Sequence, residues 1–308
     1  MLKDAFQFGI CRGSANENEK YICEQKFNGA RYAFVWNNDK VKIVSRHVSV
    51  DTGDYVDKTD NVPHISNSNY KFNGLTILDG EMILDEYKTS YDVMTIMGSD
   101  SERAVKLQEE KGKIKFKVFD VLFYNNVDYR NRSIEERKEI LRKIIREMNN
   151  EYIQFVDYII GGKEEIDAMF NTIVQKGGEG LVLKVLGSKY GDPNAWIKVK
   201  RVATYDVVIM GYTKTSSQKY KDKGWIRSVQ IGLYDKEGKL VHFGNVSGMC
   251  EKVRDFISKN KEQLIGKVIE IKAQQTYAGI SFINPRFVRF RPDKNANECT
   301  IELQVNNK

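Results

Sequence analysis

The stretch Cys23-Glu24-Gln25-Lys26-Phe27-Asn28-Gly29-Ala30-Arg31 decides how this chain is read. It sets one lysine beside an Asn-Gly turn, between two strand-like runs. The run after it, residues 30–36, is apolar and aromatic. Similar runs recur at residues 41–44, 75–84, 115–122 and 181–185, bounded by Gly, Asn and Asp. Helical patterns lie between them. Ser133 with Glu136 three residues on is a capping box, and Ile134, Leu141, Ile144, Ile145 and Met148 then recur at helical spacing. A second helix is expected from about Lys163 to Gln175, stopped by Gly177-Gly178. Strands are expected again at residues 205–212, 226–234, 240–243 and 267–273, with a helix at about 249–264. Four or five short strands and one inserted helix suit a small barrel such as an OB-fold, although a sandwich would read similarly.

Composition bounds the function. The chain has 308 residues, 41% hydrophobic and 30% charged, enough apolar material for two cores. No run of about 18 apolar residues occurs, so no membrane span is expected. The start lacks the apolar core of a signal peptide, and a cytoplasmic protein is expected. Four scattered cysteines without a C-x-x-C pair argue against structural zinc. The net charge of +7 is unevenly placed. Residues 202–308 hold 18 Lys+Arg against 11 Asp+Glu, whereas the first 201 residues hold 31 of each. A neutral first domain, 1–201, and a basic second domain, 202–308, suit catalysis joined to polyanion binding. A basic surface kept only for solubility would give the same count.

Lys26 alone is a weak signal. The weight comes from an ordered series downstream of it: Ser45-Arg46, Asp79-Gly80-Glu81, Phe116-Lys117-Val118-Phe119-Asp120, Glu179-Gly180-Leu181-Val182-Leu183-Lys184, Trp196-Ile197-Lys198-Val199-Lys200, and Arg289-Phe290-Arg291-Pro292-Asp293-Lys294. In this series the chain resembles the covalent nucleotidyltransferase superfamily, and within it the compact ATP-dependent DNA ligases. The resemblance runs from about Ile22 to Ile301. It departs from the family pattern at Asn28, where K-x-D-G has Asp.

The resemblance implies an α+β fold: an ATP-grasp-like nucleotidyltransferase domain, antiparallel sheets with flanking helices, followed by an OB-fold β-barrel. It implies a monomer that takes ATP and Mg²⁺ or Mn²⁺ and seals 3′-OH/5′-phosphate nicks in duplex DNA. Lys26 would carry AMP. A lysine attacks phosphorus only when neutral, and its reference pKa is near 10.4. A cation about 5 Å away at an effective dielectric of about 20 costs roughly 3 kcal/mol, about two pKa units. Lys198 and Lys200 alternate along a strand, face one side, and could act on Lys26 and the α-phosphate.

By the same resemblance, Glu179 is the metal-associated acid, with Glu81 beside it bonding the ribose. Phe119 stacks on adenine, Glu24 accepts from its amino group, and Lys184 joins the nucleotide site. Arg31 and Arg46 receive the 5′-phosphate, using the planar guanidinium fork. Arg291, Asp293 and Lys294 attend the leaving pyrophosphate. Lys219, Lys221 and Lys223 form a short basic loop for DNA. On spacing alone, core packing fits Phe119 as well, and a turn is the better reading of Asp79-Gly80. The alternatives are an mRNA-capping guanylyltransferase, an RNA ligase, or a non-catalytic homologue that Asn28 would mark.

Overall fold

The computed structural model describes all residues except Met1, Cys11, Arg12, Ser14, Ser68, 86–89, 201–202, 274–275, 278–280, 283 and 307–308. The chain divides into two compact units, Met1–Lys200 and Arg201–Lys308.

The first unit holds β1 (Tyr21–Gln25), β2 (Ala30–Asn37), β3 (Lys40–Val48), β4 (Tyr55–Asp57), β5 (Thr76–Ile83), β6 (Lys115–Tyr124), β7 (Val127–Asp128), β8 (Ile153–Phe155), β9 (Tyr158–Gly161), β10 (Gly180–Val185) and β11 (Trp196–Lys200). They form two largely antiparallel sheets. One has the order β11-β10-β1-β9, the other β4-β3-β2-β5-β6-β7, with β8 pairing in parallel to β6. The alternation along β2 explains the layering. Tyr32, Phe34 and Trp36 enter a core with Ile96, Leu141 and Ile144 from the helices. Ala33 and Val35 face the opposite way, into a second cluster with Phe6, Leu122 and Trp196. A strand buried on both faces reads as a continuous apolar run, which is what residues 30–36 show.

The helix Ile134–Met148 begins at the capping box of Ser133 and Glu136, and Lys163–Gln175 ends before Gly177 at φ 87°. Among the described residues, the longer helices that escape the sequence reading are Ser90–Gly98 and Ser101–Lys111. The second starts with Asp100 accepting from the Arg103 amide. Asp79-Gly80 is not a turn. It lies inside β5, where Asp79 is buried and a Cβ on Gly80 would stand 2.6 Å from the Lys117 carbonyl oxygen.

The second unit holds β12 (Ala203–Thr213), β13 (Ser228–Tyr234), β14 (Leu240–Val246), β15 (Val268–Ala273), β16 (Thr276–Tyr277), β17 (Ser281–Phe282) and β18 (Arg286–Phe290). The sheet order is β14-β13-β12-β15-β18, with β16 and β17 paired separately. Bulges interrupt β12–β13, β13–β14 and β15–β18. The expected helix is broken into Glu251–Lys259 and Lys261–Leu264. Val207, Ile209, Ile231, Phe243 and Ile269 build the core.

Candidate active site

Lys26 follows directly on β1, and its amide donates to the Gly180 carbonyl at 2.8 Å. Gly180 has φ 137°, and a Cβ there would meet the Val199 carbonyl oxygen at 2.1 Å. The β1–β10–β11 junction therefore closes only around a glycine. This close approach sets the preceding Glu179 against Lys26. The Lys26 Nζ lies 2.5 Å from Glu179 Oε2, and the Lys200 Nζ lies 2.6 Å from Glu179 Oε1. This corrects the simplest reading of Lys200 as a bare cation acting on Lys26. A carboxylate stands between the two ammoniums.

One cavity of about 530 Å³ is lined by Lys26, Glu81, Lys198 and Lys200, with Arg31 and Arg46. Glu24, Phe119 and Lys184 line it too; Glu179 does not, but pairs with Lys26 and Lys200, which do. Asn28 is half-buried and does not line the cavity; among the described residues its amide has no hydrogen-bond partner. Burial pushes the Glu81 carboxyl up to about 7, against the pull of Lys26 and Arg31. It can therefore stand as acceptor or donor near neutral pH.

Arg31 is committed elsewhere than the sequence reading placed it. Its Nε and Nη2 grip Asp79 at 3.0 and 2.5 Å, and Nη1 donates to the Gly9 carbonyl at 2.6 Å. Its guanidinium carbon lies within 5.4 Å of the Phe8, Phe119 and Trp196 ring centroids. Burial opposes the charge, and Asp79 overrides it and holds Arg31 protonated. With its fork engaged by Asp79, Arg31 braces the cavity wall in this structure. Arg46 differs. It is exposed, lines the cavity, and has no carboxylate partner among the described residues.

Behind the cavity lies a buried charged cluster. Asp120 receives Arg137 through Nε at 2.7 Å and Nη2 at 3.1 Å. Burial would raise the Asp120 carboxyl, but Arg137 and Lys184 outweigh it and hold it low. Glu24 is in contact with Lys138, and Lys184 lies 3.0 Å away. Burial depresses the Lys138 ammonium to about 8, with Glu24 opposing. Sequence reasoning singled out Glu24 and Lys184 but missed the cluster they form with Asp120, Arg137 and Lys138. The one available signal was a pair of cations, Arg137 and Lys138, on the apolar stripe of an amphipathic helix, beside Ile134 and Leu141. It also missed the N-terminal segment, whose Gly9 and Ile10 line the cavity, and Tyr190, which donates to Asp79 at 2.7 Å.

Of the two carboxylates that the resemblance selects for a divalent cation, Glu81 lines the cavity, while Glu179 is held by Lys26 and Lys200. No cluster of three or more His, Cys, Asp or Glu able to hold a metal occurs among the described residues. One or two carboxylates still fit Mg²⁺, which keeps waters and takes substrate phosphates as its other ligands.

In the second unit, Arg291 is held by Asp293 through Nε at 2.9 Å and by Asp206 through Nη1 at 2.7 Å, while Lys294 lies 3.6 Å from Asp206. Hydrogen bonding to Arg291 lowers the Asp293 carboxyl to about 2. The basic loop contains a short helix, Gln218–Asp222. Lys219 and Lys223 both pair with Glu251, at 3.1 and 3.6 Å, so only part of the loop's charge is unpaired.

Known proteins resemble this chain in both sequence and fold. The family model described as ATP dependent DNA ligase domain matches residues 2–200. The chain belongs to the ATP-dependent DNA ligase family. A DNA ligase of Saccharolobus solfataricus is 24% identical over 92% of this chain and 54% of its own length. One of Methanocaldococcus jannaschii is 24% identical over 91% of this chain and 55% of its own. The chain thus spans about half the length of the curated ligases it matches. A Lig E DNA ligase structure superimposes with a TM-score of 0.68 at 17% identity, covering 93% of this chain and 99% of that one. A mycobacterial DNA ligase D complexed with ATP gives 0.52 at 17% identity, covering 96% and 98%. These two likenesses speak to the ligase fold. No helix among the described residues is long and apolar enough to cross a membrane.

Proposed function

We propose that this chain seals 3′-OH/5′-phosphate nicks in duplex DNA, using ATP and a covalent adenylate on Lys26. The observation that carries this reading is the Lys26–Glu179–Lys200 bridge at the wall of a cavity that also holds Glu24, Phe119 and Glu81. The Lys26 amine attacks the α-phosphorus, a P–N bond forms, and the bond to the pyrophosphate oxygen breaks. Glu179 Oε2 is the atom placed to take the proton from Lys26 Nζ, and Lys200 balances the carboxylate. Lys198, exposed on the cavity side, is free to meet phosphate oxygens. A 5′-phosphate oxygen, with that phosphate held by Arg46, then attacks the AMP phosphorus, and the P–N bond to Lys26 breaks, returning the Lys26 amine. The 3′-hydroxyl attacks the 5′-phosphate and AMP leaves. A divalent cation held by Glu179, Glu81 and the phosphates would screen charge between the polyanions.

We further read the second unit as an OB-fold barrel. Its support is the bridge from Gly248, just past β14, to Arg286 of β18, with the Phe287 amide donating to the Gly248 carbonyl at 2.9 Å. This joins the two ends of the five-stranded sheet. The bulges supply the curvature that closure needs.

A nick-sealing assay with ATP, Mg²⁺ and a nicked duplex tests the proposal; labelling with GTP in preference to ATP would favour the capping alternative. DNA binding should fall with salt. Lys221→Ala should lessen the slope by about one unit, and neutralising Lys219 and Lys223 as well should add less than one unit each, because Glu251 already pairs them. Salt titration of nick binding measures this; an unchanged slope in the triple variant would show that the loop does not touch the backbone.

A further inference from the structure

Phe119 sits in a β-bulge. Asp79 opposes Asp120 and Gly80 opposes Val118, so Phe119 has no partner on β5. A bulge turns a side chain out of register and frees its backbone groups. Here the freed Phe119 carbonyl accepts from two ammoniums, Lys138 Nζ at 2.8 Å and Lys184 Nζ at 3.1 Å. Both ammoniums also hold the Glu24 carboxylate. The ring that would stack on the base and the carboxylate that would read its edge are thus tied by the same two cations. Lys184 lines the cavity, whereas Lys138 does not; it reaches the pair from the helix behind. Its ammonium is cushioned by the Phe155 and Tyr158 rings at 5.2 and 5.5 Å.

We propose that Lys138 is a positioning residue for base recognition, fixing Glu24 and Phe119 as one unit that selects the exocyclic amine of adenine. It touches no nucleotide and acts through those two residues. The inference rests on the adenylation reading above. It goes beyond it by assigning the selectivity of the base site to a residue outside the cavity.

The test compares Lys26 labelling by ATP and by purine riboside triphosphate, which lacks the exocyclic amine. The unsubstituted chain should favour ATP by about ten- to a hundredfold, the scale of one hydrogen bond to a charged group. Lys138→Met should shrink that preference to about threefold or less. It should do so by raising KM for ATP, with little change in KM for the analogue or in the saturated labelling rate. A Glu24→Gln/Lys138→Met double substitution should lose no more selectivity than Glu24→Gln alone. If Lys138→Met does not fold, Lys138→Gln is read in the same way. Undiminished selectivity, or equal weakening of both nucleotides, would overturn the positioning role alone. Failure of the unsubstituted chain to label with either nucleotide would instead overturn the adenylation reading.

Discussion

Lys26→Ala should reduce the acid-labile label transferred from α-labelled ATP by at least about a thousandfold, since it deletes the proposed covalent nucleophile. Four lysines line the cavity. Lys184 is buried between Glu24 and the Phe119 carbonyl. Lys198 is exposed, and among the described residues nothing holds its amine. Lys200 lies on Glu179 and is the last residue of β11 and of the first unit. Lys26 and Lys200 both sit at Gly180 of β10 and both aim their amines at Glu179, but only Lys26 opens the Lys-Phe-Asn-Gly stretch that follows β1. Its side chain is 17% exposed, so it is reachable yet ordered. The measurement is label retained after acid and base treatment. Label persisting on Lys26→Ala would move the nucleophile to another amine, with Lys200→Ala the next variant to examine.

The strands around Lys26 were legible because their composition and bounding residues agree with the structure. Residues 30–36 become β2, and the capping box of Ser133 starts its helix where local chemistry requires. What stayed hidden depends on partners far apart in sequence. The pairing of Arg31 with Asp79 spans 48 positions, and Tyr190 reaches Asp79 across 111. No local pattern distinguishes an arginine that will grip a buried carboxylate from one that will meet phosphate. The bulge at Phe119 is a register slip between β5 and β6, and composition alone does not encode register. The helices Ser90–Gly98 and Ser101–Lys111 were missed for a different reason. The second has few apolar residues and buries only Ala104 and Gln108, so its amphipathic signal is faint.

Asn28→Asp should raise the single-turnover rate of sealing on a pre-adenylated nick by up to about a hundredfold, the low end of a positioned acid–base group. Lysine adenylation should change less. Asn matches Asp in size but carries no charge, cannot take a proton, and binds a hard cation weakly. The proposed first step draws on Lys26, Glu179 and Lys200, and the ion pairs that join these three do not involve residue 28. The competing account is that Asn28 is kept to hold the Lys26–Gly29 turn. An amide with that task would spend itself on a backbone group, as Asn126 does on the Leu75 amide at 2.8 Å. Among the described residues Asn28 has no such bond, and Gly29 shapes the turn instead. A Cβ on Gly29 would stand 2.1 Å from the Met82 carbonyl oxygen. The Asn28 amide is therefore not tied up by the fold. Asn28 stands between Phe27 and Gly29, which line a cavity carrying Lys26, Lys198, Lys200 and Arg46, so a carboxylate at residue 28 would lie beside a basic lining. A sealing rate unchanged or lowered in Asn28→Asp would show that the last step does not use a carboxylate at this position.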